Sequence, residues 1–133
     1  MKPLLLHPIN WKDYSLVDSG DGKKLERFGN FLFIRPEPQA LWSPRLPIKE
    51  WEKSSGTFLS SSNPLNEDAT GKWSLKKHLP PKWEMHYDNI KFFATPTPFR
   101  HLGFFPDQSP HWLWASKKIQ SFIKIQNNNY SPK

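Results

Sequence analysis

Along the first third of the chain, apolar residues recur in short blocks separated by turn-forming pairs. Tyr14-Ser-Leu-Val-Asp18 reads as a strand, Ser19-Gly-Asp-Gly22 as a turn, and Lys23 to Phe28 as the return. Asp21-Gly22 is the kind of dipeptide that tolerates the positive φ of a tight hairpin. Gly29-Asn30 turns the chain again, and Phe31-Leu-Phe-Ile-Arg35 gives a third strand. Its unbroken apolar run predicts cover on both faces and so a central place in the sheet. Pro36 and Pro38 lack the N–H that a ladder needs and close it.

Residues 83–95 carry the clearest pattern. Trp83, Met85 and Tyr87 alternate with Glu84, His86 and Asp88. A two-residue turn at Asp88-Asn89 pairs Tyr87 with Ile90, Met85 with Phe92, and Trp83 with Ala94. All six then lie on one face, as a half-buried hairpin requires. Beyond Thr95-Pro-Thr-Pro98, Ser109-Pro110 reads as a helix start, with Ser as N-cap and Pro at the first helical position. Trp112, Ala115, Ile119, Phe122 and Ile123 fall on one face at helical spacing over residues 110–126, and Asn127-Asn-Asn129 ends the run. Residues 36–82 have no such period. Trp42 and Trp51 are expected to pin this stretch to the core, and Thr57-Phe-Leu59 to form a short strand in a flexible insert around 54–71. Within it, residues 60–71 are the best candidate for a mobile loop.

The predicted fold is therefore β-rich α+β. A small antiparallel meander-and-hairpin domain over 1–109 is followed by one amphipathic helix and a linker over 110–133. Composition agrees with short strands around an aromatic core. There are ten Phe, seven Trp and fourteen Pro in 133 residues, with a mean hydropathy of −0.73. The apolar run near the N-terminus is too short for a signal peptide or a membrane span, so a soluble cytoplasmic protein is expected.

Charge adds a second pattern. The net charge is +7, from 19 Lys and Arg against 12 Asp and Glu. All of the excess falls after Asp68, in the stretch from Lys72 to Trp83, in Phe99-Arg-His101 and in the last helix. Such asymmetry suits a surface facing phosphate, and it also suits plain solubility. In the 20–27 hairpin, Lys23, Lys24 and Arg27 are either solvated charges or phosphate contacts. Lys76, Lys77 and Arg100 are the corresponding candidates in the basic half.

Catalytic chemistry is sparse. The absence of Cys removes thiolate nucleophiles, disulfides and Cys-ligated zinc. The five His lack metal spacing, and Asp18-Ser-Gly-Asp-Gly22 lacks the later ligands of a calcium loop. There is no glycine-rich dinucleotide fingerprint, no P-loop and no nucleophile elbow. In Gly103-Phe-Phe-Pro-Asp-Gln108 two readings stand: an aromatic plug whose Asp107 or Ser109 caps the next helix, or a ligand loop at a helix N-terminus.

Three strings carry a resemblance: Asp18-Ser-Gly-Asp-Gly-Lys-Lys-Leu-Glu-Arg-Phe-Gly29, Arg35-Pro-Glu-Pro-Gln-Ala-Leu-Trp42, and Gly103-Phe-Phe-Pro-Asp-Gln108 with Trp112 and Trp114. Together they resemble the N-terminal region of a family of class I S-adenosylmethionine-dependent methyltransferases related to the ribosomal-RNA cytosine methyltransferases. The match runs from about Trp11 to Trp114. The resemblance implies a β-rich module ahead of a Rossmann-like methyltransferase domain, with RNA as substrate and S-adenosylmethionine as cofactor. It places Phe104, Phe105, Asp107 and Gln108 beside the cofactor pocket. The chain departs from the family pattern with Asp107 in place of Glu and His111 in place of Asn. The Rossmann strand, its Gly-rich turn, the ribose-binding acid and the catalytic motif that the resemblance implies are expected to lie outside these 133 residues.

The expectation is thus the front, substrate-recognition part of such an enzyme, unable to methylate alone. Its partners would be RNA and a C-terminal methyltransferase domain or separate chain. The alternative is a non-enzymatic interaction module, whose helix and Phe104-Phe105 loop dock on another domain and drive self-association. A third reading, a small independent enzyme, would need a pocket gathering His86, His101 and acids.

Overall fold

Turn chemistry at two dipeptides sets the first sheet. The structure, a computed structural model, describes residues 11–60 and 71–129, with side chains to residue 126. Asp21 and Gly22 have φ of 49° and 70°, the doubly positive pair of a two-residue hairpin turn, and join β1 (Tyr14–Gly20) to β2 (Lys23–Phe28). Gly29, with φ of 63°, opens the next two-residue turn, into β3 (Phe31–Pro36). Helix α1 (Ile48–Trp51) follows, then β4 (Gly56–Ser60) and β5 (Gly71–Leu75). The five strands form one sheet in sequence order, with β3 at its centre as its apolar run predicts. A second sheet is the hairpin of β6 (Trp83–Tyr87) and β7 (Ile90–Ala94). Its register joins Trp83 to Ala94, Met85 to Phe92 and Tyr87 to Ile90, as the alternation predicts.

Three expectations need correction. Residues 36–82 are better organised than their pattern implies, because 71–75 pair antiparallel with β4 and 48–51 form a helical turn. The sheet is not wholly antiparallel either, since β3 and β4 run parallel through Phe33–Gly56 and Ile34–Thr57. A parallel neighbour needs a crossover, and residues 37–55 supply it. Ser109 is not an N-cap: its φ of −57° and ψ of −36° are helical, whereas a cap residue is extended. Phe105 takes the extended position, and a 3-10 turn (Pro106–Gln108) runs directly into α2 (Ser109–Asn129). The expected mobile loop falls mainly on 61–70, outside the described residues.

The chain divides after Phe104 into a β-rich unit, Trp11–Phe104, and a unit holding α2. In the first, Trp11, Phe28, Phe33, Trp83, Met85, Ala94 and Leu102 form one buried cluster between the two sheets. Phe33 and Trp83 stack at 5.4 Å and 10°, and Phe92 and Phe104 meet edge to face at 4.8 Å. Large rings bury much surface per residue, which is how a short chain builds a core with few side chains. The crossover covers the opposite face of the first sheet. A bulge at β1 between Leu16 and Asp18 turns the Asp18 carboxylate under this segment. There it accepts hydrogen bonds from the Leu46 and Arg45 amides, at 2.9 and 3.2 Å, and from the Trp51 indole at 3.0 Å. Trp51 is buried, as expected of a pin. Trp42 is exposed, and its indole N–H bonds the Ser19 carbonyl at the rim instead of entering the core.

Candidate functional site

The charged residues of β2 and β3 divide between structure and surface. Glu26 pairs with Phe33 in the ladder and Arg35 pairs with Lys24, so the two charges are diagonal neighbours on the core-facing side. The guanidinium clasps the carboxylate in a bidentate pair, with Nε and Nη2 each at 2.6 Å from an oxygen. Tyr14 donates its hydroxyl to Glu26 at 2.8 Å, and Arg35 sits over the Phe28 ring. Both partners are buried. The hairpin is therefore more than a turn with solvated charges. Removing one member of such a pair leaves an uncompensated buried charge, at a cost of about 3–5 kcal/mol.

Arg35 has a further donor, Nη1, which bonds the Arg100 carbonyl at 3.1 Å. This contact, and the Trp73 indole N–H donated to the Phe99 carbonyl at 2.9 Å, tie the loop after β7 to the five-stranded sheet. The loop is closed by Thr95 N–H to the Leu102 carbonyl and by Thr97 Oγ1 to the His101 carbonyl. The Gly103 amide donates to His101 Nδ1, which places a neutral ring's proton on Nε2. Phe99 is exposed and stacks on His101 at 5.8 Å and 15°.

The six basic candidates do not share one set of contacts. Lys23 is exposed at the β1–β2 hairpin, and Lys24 beside it is paired with Glu37 at 3.1 Å. Arg27, near the other end of β2, donates to the Gly29 and Lys12 carbonyls. Lys76 follows β5 and donates to the Glu52 carbonyl. Lys77 and Arg100 are exposed, with no side-chain hydrogen bond or ion pair among the described residues. Lys24, Arg27 and Lys76 thus hold the β-rich unit together, and Lys23, Lys77 and Arg100 remain open to a ligand.

The four cofactor candidates also separate. The Phe104 ring packs on Trp11, Phe28 and Phe92 within the β-rich unit. Phe105 is half-exposed in the other unit. Asp107 and Gln108 are exposed in the 3-10 turn, where Gln108 Nε2 donates to Asp107 at 3.1 Å and Gln108 Oε1 lies 3.2 Å from His111 Nδ1.

His86 and His101 have separate partners. The His86 ring lies between Asp13 and Glu84, at 3.2 and 3.1 Å, on the outer face of the hairpin, where Lys91 also bonds Glu84 at 2.7 Å. The hydrogen bond from Lys91, foremost, outweighs the opposing effect of burial and, with the Lys91 charge and the His86 ring, holds the Glu84 carboxyl below its ordinary range. Among the described residues no group of three or more His, Asp or Glu is arranged to hold a metal ion. No described helix is long and apolar enough to cross a membrane.

Against this geometry the comparisons are informative in one direction. No family model matches the chain, and neither does any curated protein. Among solved structures, the SAM-dependent methyltransferase from Agrobacterium tumefaciens is similar in fold and sequence, with a TM-score of 0.77 and 34% identity. The match covers 90% of this chain and 36% of that one. The chain is related to a SAM-dependent methyltransferase and spans about a third of that protein's length.

Proposed function

We propose that this chain is the substrate-recognition portion of a SAM-dependent methyltransferase that acts on RNA, and that it transfers no methyl group by itself. The observation that carries the reading is the match to the Agrobacterium enzyme, with its identity of 34% over nine-tenths of this chain. The RNA part rests on the excess of Lys and Arg after Asp68 and on the open side chains of Lys23, Lys77 and Arg100. Basic side chains that neutralise phosphates release counterions, so affinity for RNA falls steeply with salt. S-adenosylmethionine belongs to the proposal as the methyl donor of the whole enzyme. Phe105, Asp107 and Gln108 are this chain's contribution to its surroundings.

Titration of a labelled single-stranded RNA at several salt concentrations tests the reading. A linear fall of log K with log salt is expected, with a slope of about −0.7 per phosphate contacted. A flat line, or no binding, removes RNA from the proposal. Transfer of a labelled methyl group from S-adenosylmethionine to RNA by this chain alone is expected to be nil. Incorporation above the protein-free control overturns that part.

A second reading has its own observation. Helix α2 leaves Ile119, Phe122, Ile123 and Ile125 more than half exposed, which is unusual for four large apolar residues within seven positions. On this reading the helix docks on the methyltransferase domain, the occupant suggested by the length of the related enzyme beyond the matched region. Light scattering of the chain alone is expected to show self-association through that face. A monomer at high concentration counts against it.

A further inference from the structure

We propose that the Phe99–His101 stack, with Arg100 between its two rings in sequence, is a platform on which one base of a single-stranded RNA stacks. The inference deepens the RNA reading above and rests on it. Four observations carry it.

The first is the pair of rings. Phe99 and His101 are stacked nearly parallel, and Phe99 is 57% exposed. The imidazole flanks the ring in a nearly parallel, offset arrangement, and the ring keeps a large area in water. A base has a flat π-face that can extend such a stack, and stacking on aromatic side chains is the sequence-tolerant part of single-strand recognition. An isolated exposed Phe would mean little. A Phe set nearly parallel to a second ring is a surface with a direction.

The second is the scaffold. A short loop of nine residues, 95–103, is held at both ends and in the middle. Thr95 bonds Leu102, Thr97 bonds His101, and Leu102 is fully buried. The carbonyls of Phe99 and Arg100 are gripped by Trp73 and Arg35 from the other sheet. Arg35 is itself fixed by the buried Glu26 carboxylate. These bonds engage the backbone of 99 and 100 and leave the two side chains outward. A loop ordered in advance loses little entropy on binding, so the contact energy is realised as affinity.

The third is charge. Arg100, between the two rings in sequence, is exposed, and the chain from residue 69 onward holds ten Lys and Arg against three acids. Base and phosphate of one nucleotide are then met by adjacent residues, the ring taking the base and the guanidinium the phosphate.

The fourth is a neighbouring unit of similar kind. Phe93, exposed on the outer face of β7, lies under the Lys82 ammonium at 4.9 Å. Thr95 links the two strands there by donating to the Pro81 carbonyl at 2.9 Å. A second exposed ring with a cation thus stands on the strand that leads into the loop.

The shared chemistry is a flat heteroaromatic base, which an RNA nucleotide carries and which the adenine of S-adenosylmethionine also carries. Three probes separate the sources: a labelled RNA of about twelve nucleotides, within the range of single-strand site sizes; S-adenosylmethionine; and heparin, a polyanion without bases. The full chain is used, with Phe99→Ala, Phe99→Trp and Arg100→Ala. Thermal midpoints within a few degrees of the parent establish folding, as expected for outward side chains.

Phe99→Ala is expected to weaken RNA binding about 5- to 150-fold, the range for losing one stacked base. Phe99→Trp is expected to keep it, and heparin binding is expected to be equal in the parent and the two Phe99 variants. Arg100→Ala is expected to lower the salt slope by about 0.7. Unchanged RNA affinity in Phe99→Ala overturns the platform and leaves the RNA reading standing. Equal losses for heparin and RNA overturn it as well, because the ring then acts through something other than bases. A loss confined to S-adenosylmethionine assigns the platform to the cofactor and overturns the RNA base. No RNA binding by the parent chain overturns both readings together.

Discussion

The β-rich unit and helix α2 place their large side chains in opposite ways. In the first, rings from β1, β2, β3, β6 and β7 face one another, and Phe28, Phe33 and Met85 have no contact with solvent. In the second, the apolar stripe that predicts a buried helix face lies open: Ile119 is 60% and Phe122 62% exposed. The same sequence signal, aromatic and aliphatic residues at a regular period, therefore has two outcomes. In the sheets the period brings partners from within the unit into register. In the helix it makes a face on which Ile119, Phe122 and Ile123 are more than half exposed. Periodicity specifies which side chains share a face and is silent on what covers it.

Substitutions that act on one region and spare the other sharpen this contrast. The largest effects belong to the β-rich interior. Phe33→Ala removes a ring that touches Phe28, Trp73 and Trp83, and is expected to cost about 3–5 kcal/mol in denaturant unfolding. Arg35→Met is expected to cost a similar amount, about 3–5 kcal/mol, by leaving the Glu26 carboxylate buried and unpaired. Joining it with Glu26→Leu is expected to recover much of the loss, and a double-mutant cycle measures the recovery. A purely additive cycle would mean that the pair is not coupled.

Asp18 comes next. Burial opposes its charge, but the amides of Leu46, Arg45 and Ser19 and the Trp51 indole outweigh that and hold its carboxyl below the ordinary aspartate range. A carboxyl with a lowered folded pKa stabilises fully above the unfolded value of about 3.9 and loses that contribution as pH falls through the folded value. Asp18→Asn is expected to cost about 1.5–3 kcal/mol at neutral pH, the range for hydrogen bonds to a charged group. Its stability is expected to fall less than the parent's between pH 4 and 2. Parallel acid limbs for the two proteins would show that Asp18 is not held in this way.

The smallest effect marks the other side of the comparison. Phe122→Ala is expected to change stability by less than about 0.5 kcal/mol, as for surface positions in general. Sedimentation of the same variant is expected to show less self-association. A cost of several kcal/mol would mean that the helix face is already packed.

Legibility from sequence follows how locally each feature is encoded. The 83–94 hairpin is readable to the exact pair because a period of two and a two-residue turn both lie within twelve residues. The first three strands are readable because Asp21-Gly22 and Gly29-Asn30 fix where the chain reverses. Strand β5 hides in Gly71-Lys-Trp-Ser-Leu75, whose Lys72, with Lys76 and Lys77 just after it, gives it the look of a basic loop until it lies beside β4. The parallel pairing of β3 with β4 is set across a crossover and leaves no mark on either strand. Of the candidate surfaces, charge alone suggested Lys76 and Arg27, which the structure occupies with carbonyls. What charge could not reveal is Glu26. Its one sequence sign is a position in step with Phe28 on the core-facing side of β2, where an acid needs a partner such as Arg35.

The bulge at Val17 has a consequence for how the molecule keeps to itself. Strand β1 is one of the two outer strands of its sheet, and Leu16 and Val17 on it are exposed. A straight, apolar outer strand offers its free amides and carbonyls as a template for another chain. The extra residue breaks the ladder between Leu16 and Asp18 and twists the strand there, so that a second copy cannot add in continuous register. The distortion that turns Asp18 inward to hold the crossover also guards the sheet against growing from that edge.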